Sequence, residues 1–73
     1  MKYKNQEYLK MICDDVNSKT PADRENIIKH LKMYQEEAVY EYNKINDYTA
    51  PEEVEARTQA VYYYEDLLSM LGE

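Results

Sequence analysis

Apolar residues recur at helical spacing along three stretches of this chain, with two short polar breaks between them. Helical residues advance by about 100° each. On that basis Tyr8, Leu9, Ile12, Cys13 and Val16 share one side of a helix predicted over roughly 3–17. In a second helix over roughly 21–46, Ile27, Ile28, Leu31, Tyr34, Ala38, Val39, Tyr42 and Ile45 fill an arc of about 140°. The third helix, over roughly 51–71, is broader. Val54, Ala56, Ala60, Val61, Tyr63, Tyr64, Leu67, Leu68, Met70 and Leu71 span about 200°.

Local chemistry supports these bounds. Thr20-Pro21-Ala22-Asp23 supplies a capping hydroxyl, a proline at the first helical position and a first-turn acid. Thr49-Ala50-Pro51-Glu52 offers the same parts, with Glu52 set for a capping box on Thr49. Gly72 is a C-terminal cap residue. The linkers 18–20 and 47–50 are short enough to force antiparallel neighbours.

The width of the third helix follows from chain geometry. At about 1.5 Å per residue, the second and third helices run roughly 30–40 Å and the first about half that. A short first helix lies along the first half of the second, where the second half of the third arrives. The predicted fold is all-α, one domain over 1–73: a three-helix bundle in which a short N-terminal helix packs on a long antiparallel helical hairpin.

Several apolar residues sit where this pattern demands polar ones. Tyr62 falls in the polar arc of the third helix among Glu55, Gln59, Asp66 and Ser69. Met33 and Tyr40 share a row of the second helix opposite Leu31, and Met11 is a similar misfit on the first. Tyr and Met are enriched at interfaces, and tyrosine is a large, stiff anchor with a polar tip. Met33, Tyr40 and Tyr62 are therefore the candidate partner-binding residues, with Glu37, Glu55 and Asp66 as a polar rim. The bland alternative is that scattered surface hydrophobes are ordinary.

Composition narrows the classes. One Gly, two Pro and 33% charged residues suit helices and not strands. Nine tyrosines supply all the aromatic bulk. The net charge of −6 is uneven: residues 1–20 carry +1, residues 21–48 carry −2, and residues 49–73 carry −5 with Arg57 as their one base. Direct nucleic-acid binding needs clustered Lys and Arg, so it is not expected, and neither is an anionic membrane. The N-terminus lacks the apolar run of a leader, and no stretch has transmembrane length. A cytoplasmic home is expected, which a single cysteine also suits.

Catalytic chemistry has little support. His30 is the sole histidine, which removes paired-His metal sites. Cys13 is expected to be a small buried hydrophobe, and Asp14-Asp15 lacks the spacing of a calcium loop. No enzyme activity and no cofactor are expected. The leading expectation is a non-enzymatic interaction module, an inhibitor or adaptor that binds another protein or forms a homodimer. Its Lys, Asn, Ile, Tyr and Glu-rich composition suits an AT-rich phage or mobile element. Two alternatives stand beside it: an acidic nucleic-acid mimic that blocks a nucleic-acid-binding protein, and a structural subunit of a larger assembly.

Overall fold

A computed structural model describes residues 1–73. It contains three helices and no strand: α1 (Gln6–Asn17), α2 (Pro21–Asn43) and α3 (Pro51–Met70). The fold is an all-α three-helix bundle dominated by the α2–α3 hairpin, and it extends 44 × 23 × 14 Å.

Two of the three predicted helix termini with strong local chemistry form as expected. The Thr20 hydroxyl accepts from the Asp23 amide at 3.3 Å, with Pro21 in the first turn. Gly72 takes φ +84°, and the chain closes with Glu73 N donating to Leu68 O and Gly72 N to Ser69 O. Those two bonds satisfy carbonyls that the end of α3 would otherwise leave unpaired.

The third does not. Ala50, not Thr49, caps α3, and no side chain bonds to its first turn. Thr49 turns back: its hydroxyl accepts from Asn46 N at 3.0 Å, while Asn46 Oδ1 accepts from Tyr48 N at 2.8 Å. These side chains offer the backbone partners outside a helix. They end α2 at Asn43, three residues before the expected 46.

The start of α1 also moves. Residues 1–4 are not helical, and Asn5 caps the helix by accepting from Tyr8 N at 3.1 Å. Lys2 to Lys4 form a strap that lies on α3.

The core sits at one end. Leu9, Cys13 and Val16 of α1 meet Ile28 of α2 and Leu67, Leu68 and Leu71 of α3. Leu9 and Leu67 are fully enclosed, at 0% exposure. α1 runs alongside the C-terminal half of α3 in the same direction, since Tyr3 meets Asp66 and Cys13 meets Met70. Arg24 ties this end together by donating to Asn17 Oδ1 at 2.9 Å and Leu71 O at 2.8 Å.

At the other end only two helices face each other. There Ala38 is the one buried residue of α2, whereas Tyr34, Val39 and Tyr42 of the expected stripe are exposed. Tyr8 of the α1 stripe is exposed as well. A helix with one neighbour cannot cover an arc of that width.

Candidate protein interface

The polar face of α3 is occupied by the chain itself. Asp66 Oδ2 accepts from Lys2 N and Tyr3 N, each at 2.7 Å, and from Gln6 Nε2 at 3.2 Å. Gln59 Oε1 accepts from Lys4 N at 3.1 Å, and Lys4 Nζ stands 3.8 Å from Glu55. Lys2 Nζ lies 5.4 Å from the centre of the Tyr62 ring, a cation–π distance. An extended strap has amides that no helix satisfies, and this carboxylate and amide satisfy three of them.

Two expectations for this face therefore change. Asp66 is not a rim residue: it is 7% exposed and serves as the anchor of the strap. Burial pushes its carboxyl up, but the bonds from Tyr3, Gln6 and Lys2 outweigh that and hold it below the usual range. Tyr62 is half-buried and not stranded in solvent. Glu55 is exposed, as its wheel position implies, but pairs with Lys4.

The α2 residues lie elsewhere. Met33 and Tyr40 are 53% and 62% exposed, and Lys44 Nζ sits 4.3 Å from the Tyr40 ring centre. Glu37 is exposed and makes no ion pair. The six predicted partner-binding residues are thus split: Tyr62, Glu55 and Asp66 lie with the strap, and Met33, Tyr40 and Glu37 lie on α2.

A different feature crosses all three helices. Tyr63 packs edge-on against Tyr3 at 5.3 Å and against Tyr64 at 5.0 Å. Tyr8 flanks Tyr63 at 6.3 Å, and Tyr34 flanks Tyr64 at 6.2 Å. Edge-to-face rings gain roughly 0.5–1.5 kcal/mol per pair beyond area burial. Burial, then the neighbouring phenols of Tyr8, Tyr64 and Tyr3, pushes the Tyr63 hydroxyl above its usual range. Burial, then Tyr34 and Glu37, does the same for Tyr64.

Below this ladder the hairpin opens into a groove. Its α2 side, of about 320 Å³, is lined by Tyr34, Glu37, Ala38 and Glu41 facing Ala56, Arg57, Ala60 and Tyr64. Its strap side, of about 360 Å³, shares Ala56, Ala60 and Tyr64 and adds Tyr3, Tyr8 and Gln59. The floor is two alanines one turn apart. The sequence pattern assigned these residues to the core; the small pair Ala56 and Ala60 inside an over-wide apolar arc was the available signal.

The remaining chemistry is sparse. Cys13 is buried, with its sulfur 3.8 Å from Met70 O and 3.6 Å from Asn17 Nδ2. His30 is exposed, with Nδ1 2.8 Å from Asn26 O one turn earlier on α2. No three His, Cys, Asp or Glu residues converge as a metal site. No helix is long and apolar enough to cross a membrane. No family model, no curated protein and no solved structure matches the chain.

Proposed function

We propose that this chain is a protein-interaction module, a small acidic helical adaptor or inhibitor that engages another protein through the two-helix end of its hairpin. The observation that carries this is the apolar and aromatic surface left uncovered there. Tyr40 is exposed on the outer row of α2, with Met33 on the same row nearer the core end; Tyr34 and Tyr42 are exposed on its other faces, and Tyr48 in the following turn is 97% exposed. A 73-residue chain with so small a core gains from placing that surface against a partner. Tyrosine and methionine suit the purpose, being bulky and tolerant of both water and apolar contact.

The test is affinity capture from the source cells with the tagged chain, repeated with Tyr40→Ala and Met33→Ala. A partner held by the parent chain in high salt and lost by either variant, with unchanged melting of the variant, supports the proposal. Binding that vanishes in salt, with both variants behaving as the parent, would instead indicate a charge decoy.

A further inference from the structure

We infer that the groove over Ala56 and Ala60 receives the apolar face of a cationic amphipathic helix from a partner protein, lying where a longer α1 would lie. The inference rests on the interaction-module reading and adds the occupant and its chemistry.

Geometry comes first. At the core end the α2–α3 hairpin carries a third helix, and α1 begins only at Gln6, after the strap has crossed Tyr63 and Asp66. Beyond that point Lys4 alone reaches further, to Gln59 and Glu55, and no helix covers Ala56, which is exposed. From Ala56 to Tyr64 is roughly 12 Å of helix, and from Pro51 roughly 20 Å. That length accepts about three turns of a visiting helix. Methyl side chains on the floor permit close approach of its backbone, because interaxial spacing depends on the residues in contact. Tyr64 and Tyr34 stand as aromatic walls on which leucine-sized side chains pack.

Charge then selects the occupant. Between residues 33 and 60 there are seven carboxylates against Lys44 and Arg57, with Lys4 of the strap pairing one of them, Glu55. Both bases are already engaged: Lys44 lies 3.7 Å from Glu41, and Arg57 reaches Glu53 at 3.6 Å and Glu41 O at 3.5 Å. Glu37 stands unpaired on the groove wall, on the side of Tyr64. Lysines or arginines flanking an apolar stripe would meet this rim favourably. A second copy of the chain would bring its own acidic half against the first, and like charges disfavour that pairing. A partner helix of this size buries little area, so the complex belongs to the weak, transient class.

The probe is a synthetic peptide of about fourteen residues, roughly 21 Å of helix, with leucines on one stripe and lysines on the other. A matched peptide carries glutamate in place of lysine. Each is titrated into the full chain and followed by backbone amide NMR. The expected result is saturable binding of the lysine peptide with shifts at Ala56, Ala60, Tyr64 and Glu37. Added salt should weaken it a few-fold without abolishing it, and the glutamate peptide should bind at least about tenfold more weakly. Ala56→Arg, which fills the groove at an exposed position, should cost about tenfold or more. Glu37→Gln, which leaves the shape alone, should cost a few-fold and blunt the salt response.

Equal binding of the two peptides overturns the charge assignment. Binding that ignores Ala56→Arg but is lost in Met33→Ala moves contact to the outer row of α2, which sinks the groove and leaves the module reading standing. No saturable binding of either peptide overturns the inference. So does a dimer in sedimentation that Ala56→Arg dissociates, since a second copy then owns the groove.

Discussion

Replacing Asp66 with alanine should unhook the N-terminal strap. Two backbone amides, Lys2 N and Tyr3 N, donate to one buried carboxylate oxygen at 2.7 Å. Hydrogen bonds to a charged group contribute roughly 1.5–3 kcal/mol each. Gln6 Nε2 adds a longer bond at 3.2 Å. The loss is less than the sum, because a freed strap can lift off and give its amides to water. Lifting also forfeits the Tyr3–Tyr63 edge contact, worth roughly 0.5–1.5 kcal/mol. The expected net cost is about 2–4 kcal/mol. A domain of 73 residues has a total stability of roughly 4–11 kcal/mol, so Asp66→Ala should lower Tm by about 10–25 °C. Asp66→Asn keeps an accepting oxygen and loses only the charge, and should cost about 1 kcal/mol. Melting followed by circular dichroism measures both, and hydrogen exchange at Lys2 and Tyr3 reports the strap directly. Glu65→Ala, an exposed neighbour, should stay within about 0.5 kcal/mol of the parent. If Asp66→Ala melts like Glu65→Ala and the two amides keep their protection, the anchor described here does not exist.

Three further outcomes follow from the same structure. The Asp66 carboxyl is held below its usual range, so the unfolded chain takes up that proton first as pH falls; this share of stability is present above about pH 4 and fades below it, and Asp66→Asn should flatten that limb of an acid denaturation profile. Tyr63 and Tyr64 have hydroxyls raised above 10.0, so their share of stability is intact below pH 10 and is lost as pH rises through their native values; phenolate absorbance should show these two rings ionising after the exposed tyrosines. Leu67→Ala empties a fully enclosed position and should cost roughly 2–5 kcal/mol, a large share of the total, as urea titration would record.

What could be read from the residues alone was whatever depends on near neighbours along the chain. Thr20-Pro21 and Gly72 mark helix ends because a hydroxyl, a ring and a missing Cβ act within one turn. The short first helix also explained why α3 is apolar on most of its circumference near Leu71. The same reasoning applied to α2 foretells that Tyr34, Val39 and Tyr42 run past the end of α1 and stay exposed, a step the apolar stripe obscured. Asp66 was illegible for a different reason. By helical phase it belongs with Glu55 and Gln59 on a wet face, and it is buried only because a strap more than 60 residues earlier lies across it. Nothing beside Lys2, Tyr3 or Lys4 in the sequence signals that their amides are satisfied so far away. Asn46 and Thr49 did carry a local signal, since both residue types compete for backbone groups, but helical periodicity in Tyr42 and Ile45 masked it.

The placement of Asp66, Leu67, Leu68 and Leu71 also governs how the chain is made. Ile28 follows α1 closely in the chain, but the α3 groups that cover the strap and α1 are polymerised more than 50 residues after them. Until then Leu9, Cys13 and Val16 have only α2 residues such as Ile28 to pack on, and the amides of Lys2 and Tyr3 lack their carboxylate. Closure of the core is therefore a long-range encounter of α1 and the strap with α3.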